Sequence, residues 1–239
     1  WDNFEIVAPI LERHDLRATF FVTSNFVETD ELMWFDRAAA AVRKSTDAEL
    51  LSAARANGIE PPSLGELANN RLRAWIETLK RTPPSQRSGF VACIAEAVDE
   101  PELRALFRSM RPAQVTQMAR KGHEIGSHSA SHEILPLASD EELDAIMNDS
   151  RDQVQAWTGT EVPGFCYPDG SHDDRVVSAA RRAGYRYACT TEPPTSLRQP
   201  DPLRLGRFDI TRDRVSRPGG AFDLVAFRAE MCGLHDRLR

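Results

Sequence analysis

Residues 122–135, GHEIGSHSASHEIL, hold a short apolar segment that ends at two histidines four residues apart, His128 and His132. HEIGSH has the alternation of a short strand. The run that follows, SDEELDAIMNDSRDQVQAWTG, has the period of a helix, with a capping box from Ser139 to Glu142 and Gly159 at its end. The same rhythm continues downstream: GFCYP reads as a strand, DDRVVSAARRAG as a helix closed by Gly184, and YRYACTT as another strand. RLGRFDI reads as one more strand and AFDLVAFRAEMCGLHDRL as a last helix. Strands alternating with helices call for a parallel sheet, open or closed into a barrel. Chemistry in such folds gathers at the carboxyl ends of the strands, which is where His128 falls.

Upstream, NFEIVAPILERHDL carries apolar residues at Phe4, Val7, Ile10 and Leu11, one face of a helix, and feeds RATFFVTSNF, a β-rich run. From about Glu31 to Lys121 the pattern is helical in several pieces. Capping boxes run from Thr46 to Glu49 and from Ser63 to Glu66, and Pro61, Pro62, Pro83, Pro84, Pro101 and Pro112 separate the pieces. Such a stretch between two strands reads as a helical insertion, over about residues 31–111, in a single α/β domain spanning residues 1–239. It is either a cap packed on that core or a lid that shapes the substrate site. Trp34 and Phe35 read as core, with sugar stacking as the alternative.

The chain has 239 residues, enough for a sizeable core, and its 30 Lys and Arg against 36 Asp and Glu give a net charge of −6. No block of like charge suggests a nucleic-acid arm or a membrane-binding face. No apolar run approaches the ~20 residues that span a bilayer, so a soluble chain is expected. The four cysteines, Cys93, Cys166, Cys189 and Cys232, are scattered without a C-x-x-C, which favours buried free thiols and a reducing compartment such as the cytoplasm. The chain starts at Trp1 rather than Met, and a preceding segment with a targeting signal is compatible with that start.

Two places carry candidate chemistry. One helical turn after the strand would bring the imidazoles of His128 and His132 to one side, close enough to share a cation; the alternative is a pair of hydrogen-bonded loop histidines. In FCYPDGSHDD, Pro168 and Gly170 force a turn whose amides could meet a developing oxyanion; the alternative is a plain loop with an aspartate helix cap. His14, near a helix end, and His123, on the face of Ile125, read as structural.

Taken in order, APILERHDLRATFFV, GHEIGSHSASH, FCYPDG and AGYRYACTT resemble the polysaccharide deacetylase family, which includes chitin, peptidoglycan and biofilm-polysaccharide deacetylases. The resemblance covers residues 1–27 and about 112–192. It implies a distorted (β/α) barrel and removal of acetyl groups from an N-acetylated, or alternatively O-acetylated, sugar polymer. It also implies that His128 and His132 are two ligands of a divalent cation, usually zinc. Such a cation lowers the pKa of its water to about 7 and polarises the acetyl carbonyl, so that no covalent nucleophile is required. On the same resemblance the backbone amide of Asp169 helps to hold the oxyanion, and Tyr167, Pro168 and Gly170 line the substrate groove.

Three departures qualify this reading. The family's Asp-Asp pair, source of the base and the third ligand at the end of the first strand, is missing; the usual spacing would put its second Asp about three residues before Trp1. Asp2, at the helix entry, is a poor substitute. Cys166 stands where many members have an arginine, a contact that Arg207 could supply from another strand. No clear counterpart of the late acid histidine is found, since His235 continues the helical spacing of Phe222, Val225 and Ala229. These departures keep open a second reading, a carbohydrate-binding or structural pseudoenzyme of the same fold.

Overall fold

The sequence period Phe4, Val7, Ile10 and Leu11 assumes an ordinary α-helix, but the chain begins wider. In the computed structural model, Asn3–Val7 winds as a π-helix and runs into α1 (Ala8–Arg13), with Pro9 in its first turn and His14 as its C-cap. The wider turn displaces the inward face by about a residue: Ala8 is buried and Phe4 and Leu11 half-buried, while Val7 and Ile10 are exposed. The structure describes residues 1–29, 31–94, 101, 104, 105, 107–194, 201–217 and 219–232. They form two compact units, one of Trp1–Asp2 and Phe26–Arg111, the other of Asn3–Asn25 and Pro112–Arg239. Strand β1 (Thr19–Val22) belongs to the second, with Phe20 and Val22 buried on one of its faces.

The first unit is helical: α2 (Trp34–Lys44), α3 (Asp47–Ala56), α4 (Leu64–Lys80) and α5 (Pro84–Ile94). Both expected capping boxes are present, Thr46 with Glu49 and Ser63 with Glu66. Val42, Leu50, Trp75, Leu79 and Phe90 form its core, in which the rings of Trp75 and Phe90 stack at 5.2 Å. Each such buried side chain contributes about 1.5–3 kcal/mol. Trp34 packs against this core beneath the Arg87 guanidinium, 4.3 Å from its ring centroid. α4 breaks at Asn70, whose side chain accepts from the Arg73 amide and restarts the helix. The adjacent Arg71 bonds Asp47 at 2.7 Å and the Val42 carbonyl at 2.7 Å, tying α4 to the α2–α3 turn.

Within α2, burial pushes the Asp36 carboxyl up to about 6. A raised value in the folded state means that the fold prefers the protonated acid. Its contribution is therefore fully present below 3.8 and is lost as pH rises through about 6. Asp36→Asn is expected to stabilise the protein at pH 7 by about 1 kcal/mol after allowance for solvent screening, and to flatten urea-denaturation midpoints across that window. A variant whose midpoint keeps the wild-type pH dependence would refute this.

The second unit continues with α6 (Pro112–Arg120), β2 (Glu124–Ser127), α7 (Asp140–Thr158), β3 (Gly164–Cys166), α8 (Asp174–Arg182), β4 (Tyr187–Cys189) and α9 (Leu224–Met231). α7 has the expected box of Ser139 and Glu142 and ends at a left-handed Gly159. The four strands form one parallel sheet in the order β1-β2-β3-β4, the α/β architecture expected from the sequence. RLGRFDI contributes a single bridge, Leu205 to Cys189, rather than a strand, because the next amide in the pattern, that of Arg207, turns to the Glu192 carbonyl.

Side chains alternate across this sheet. One face buries Phe20, Val22, Ile125, Phe165 and Ala188, with Val115 and Met118 of α6, Leu143 and Met147 of α7, and Val176 and Ala180 of α8 in the same unit's core. The opposite face is crowded differently: a Cβ on Gly126 would lie 2.5 Å from the Phe21 ring, and one on Gly164 would run into the Tyr187 ring. At the amino end of the sheet, Thr19 and Tyr187 both donate to Glu124. That leaves the carboxyl ends for the loops that carry the candidate site.

Candidate active site

β1 fixes the backbone of His128. The strand register pairs Val22 with Ser127, and one residue further the His128 amide still donates to the Val22 carbonyl at 2.9 Å. The side chain is fixed by β3: Nδ1 lies 2.6 Å from the Cys166 carbonyl oxygen. A carbonyl can only accept, so Nδ1 carries the proton and Nε2 keeps the lone pair. Burial, reinforced by the neighbouring His132 and by Arg207, lowers the His128 pKa to about 4 against the opposing effect of the Cys166 bond. The imidazole is therefore neutral at physiological pH, the form that ligates metals.

The loop beyond His128 is not the helical turn that the spacing suggests. Its carbonyls are taken by the segment after β1: Ser24 N donates to Ser129 O at 3.2 Å and Asn25 N to Ala130 O at 2.8 Å. Asn25 Nδ2 also donates to Ser131 Oγ at 2.8 Å, and Ser131 N to Glu133 Oε1 at 2.9 Å. To meet these partners, Ser129 and His132 adopt left-handed backbone angles, φ 64° and 56°. Each such residue costs about 1–2 kcal/mol, which the surrounding bonds must over-determine. The outcome is the expected pairing by another route: the two imidazoles sit with centroids 4.8 Å apart and planes at 83°.

The FCYPDG turn starts one residue after the carbonyl that holds His128. Tyr167 lies beneath it, fully buried, with its hydroxyl donating to the Leu203 carbonyl at 2.9 Å, its ring edge-on to Phe165 and stacked on His172 at 5.0 Å. Pro168–Gly170 forms a 3-10 turn in which Pro168 is buried, Asp169 exposed and Gly170 half-buried. Asp169 is left-handed at φ 57°, its carbonyl accepts from Thr191 Oγ1, and Gly170 N closes the turn on Tyr167 O at 2.9 Å. Arg207 approaches from the far side of β4, with Nε donating to the Thr190 carbonyl at 2.7 Å, and its charge reaches His128, Cys166 and Cys189. Burial nevertheless holds both thiols up, that of Cys166 at about 11.

The structure thus brings together His128, His132, the Cys166 carbonyl, Cys189 and Arg207, with the Tyr167–Gly170 turn adjoining. His123 is apart and structural, buried edge-on to Phe20 with Nδ1 accepting from the Ala18 amide. His235 lies outside the described residues. Among the described residues no group of three or more His, Cys, Asp or Glu side chains is arranged to hold a metal. Sequence reading missed the Cys166 carbonyl as the partner of His128, because a backbone acceptor leaves no mark in residue identity. It also missed Cys189 as the neighbour of Cys166, a pairing that needs the β3–β4 register.

Three comparisons bear on this arrangement. The sequence model of the polysaccharide deacetylase family matches residues 67–188. A peptidoglycan-N-acetylglucosamine deacetylase of Bacillus cereus is 36% identical over 81 residues, 34% of this chain and 38% of that protein. The chain thus aligns with well under half the length of that relative. In fold, the chain is similar to the Streptococcus pyogenes deacetylase PplD, solved with acetate, at TM-score 0.50 and 16% identity over 86% of this chain and 58% of that one. It is similar to IcaB of Ammonifex degensii at TM-score 0.51 and 13% identity, over 88% and 64%. Parallel strands with the histidine pair at their carboxyl ends, in a segment that the family model spans, have one reading: the chain belongs to the polysaccharide deacetylase family.

Proposed function

We propose that this chain carries the two-histidine part of a metal-dependent hydrolase that removes acetyl groups from an N-acetylated or O-acetylated sugar polymer. The observation that carries the reading is the bond from His128 Nδ1 to the Cys166 carbonyl, which fixes the ring and leaves Nε2, in an imidazole kept neutral by burial, beside His132 at the carboxyl ends of the strands. Ligating histidines characteristically give their second nitrogen to such an acceptor. The residues present therefore fit two ligands of a divalent cation, zinc being the natural choice for imidazole donors. A third protein ligand, best a carboxylate, must come from beyond the described residues. When bound, the cation would polarise the acetyl carbonyl and make water a nucleophile at neutral pH.

The chain's own groups supply the rest. The left-handed Asp169 offers its amide, in an exposed turn, to negative charge developing on the carbonyl oxygen. Arg207, anchored on Thr190, adds positive charge to the same end of the sheet and favours the acetate that leaves. Tyr167, without exposed surface, supports the turn from below, so that substrate meets Asp169 and Gly170.

Acetate release from N-acetylglucosamine oligomers by the full-length protein tests the reading. Dialysis against a chelator is expected to abolish release and added zinc to restore it; release that survives chelation refutes the metal. The pseudoenzyme reading is favoured by Cys166 at the arginine position and by the absence, among the described residues, of a group of three or more ligating side chains. Oligomer binding without acetate release at any zinc concentration would establish it.

A further inference from the structure

Cys166 and Cys189 are register partners, the last residues of the neighbouring parallel strands β3 and β4. Partners in adjacent strands project from the same face and lie about 4.8 Å apart. That spacing falls inside the range of about 4.4–6.8 Å that disulfides span between Cα atoms. Both residues are free thiols. The sulfurs are near enough that charge on Cys189 opposes charge on Cys166. The Cys166 carbonyl is the acceptor that holds His128.

We infer that Cys166 and Cys189 are a redox-controlled pair: they close to a disulfide across β3 and β4, and closure loosens the hold of the Cys166 carbonyl on His128. The half-buried Cys189 meets an oxidant before Cys166, which is 3% exposed. With a hydroperoxide, the Cys189 sulfur attacks the terminal oxygen as its thiolate, a minor form because burial raises its pKa, and slowly gives a sulfenic acid. The leaving oxygen takes up the thiol proton and departs as an alcohol, or as water from hydrogen peroxide. The Cys166 sulfur then attacks the sulfenic sulfur; the S–S bond forms, the S–O bond breaks and water leaves. Two thiols lose two electrons and two protons in total, and the peroxide takes both.

Closure costs geometry. Disulfide Cβ atoms sit about 3.8 Å apart, so the strands must be drawn in locally by roughly 1 Å. Such strain makes the bond easily reduced and moves the Cys166 backbone. Shared between the two strands, that movement shifts the Cys166 carbonyl by about 0.5 Å, which lengthens and tilts its 2.6 Å bond to His128 and so weakens it. The effect on the site rests on the reading of His128 as a ligand; disulfide formation does not.

The test uses the full-length protein with Cys93→Ser and Cys232→Ser, which removes the two exposed thiols of this chain. Hydrogen peroxide is expected to protect Cys166 and Cys189 from alkylation and to yield a cross-linked peptide pair containing the two. Zinc affinity should fall by about tenfold, the lower end of the loss seen when an outer partner of a ligating histidine is removed, and return with dithiothreitol. Adding Cys189→Ser should leave zinc affinity insensitive to peroxide. Cys166 and Cys189 that stay alkylatable after peroxide, or a disulfide between them with unchanged zinc affinity, would overturn the inference. A reduced protein that binds no zinc would overturn the metal reading and the coupling to His128, while peptide mapping still decides whether the pair closes.

Discussion

Replacing His128 with alanine is expected to lower acetate release by about a thousandfold or more. A cation supplies several kcal/mol of charge stabilisation in the transition state, and about 4 kcal/mol corresponds to that factor. His132→Ala should behave alike, because either loss leaves one imidazole and the third ligand, too few to hold the cation in place. His132 also allows its ligand role to be separated from its structural role. Its left-handed backbone costs about 1 kcal/mol or more for a residue with a Cβ and nothing comparable for glycine. His132→Gly should therefore be as inactive as His132→Ala yet more stable to urea than that variant. His14→Ala, at the exposed C-cap of α1, serves as the control and should keep full activity. A His132→Gly protein that releases acetate at the wild-type rate would show that the pair has no part in the reaction.

The largest stability effect is expected at Tyr167. Its ring is fully buried between Phe165 and His172, so Tyr167→Ala leaves a cavity at a cost of about 3–5 kcal/mol. Tyr167→Phe keeps the packing and removes one hydrogen bond to the Leu203 carbonyl, at a cost of about 1–3 kcal/mol. Because that hydroxyl is committed to Leu203 and burial raises its pKa, the phenylalanine variant should hold kcat within about threefold of wild type. A much larger fall in kcat with an intact fold would mean that the hydroxyl touches substrate, and would move Tyr167 from beneath the turn into the reaction.

What the sequence made legible follows local rules. The capping boxes at Thr46, Ser63 and Ser139 lie where side chain and backbone satisfy each other within four residues, and each starts a helix in the structure. β2, β3 and β4 were marked by short apolar runs between such helices. The π-helical start at Asn3–Val7 was not legible, since the same apolar residues fit a 3.6-residue period and only packing shows that the wider turn wins. Nor was the path of the His128–His132 loop, because its left-handed residues answer to Ser24 and Asn25, more than 100 positions away in sequence. RLGRFDI has a strand's alternation, yet the amide of Arg207 finds Glu192 first. The histidine pair itself was visible; what fixes the His128 ring and its tautomer, the carbonyl of Cys166, was not.

The central claim is that His128 and His132 hold a divalent cation, and it is tested most directly by zinc bound per mole of full-length protein, wild type against His128→Ala, after equilibrium dialysis. The expected result is about one zinc in the wild type and essentially none in the variant. Equal zinc in both, with both proteins folded, would contradict the account.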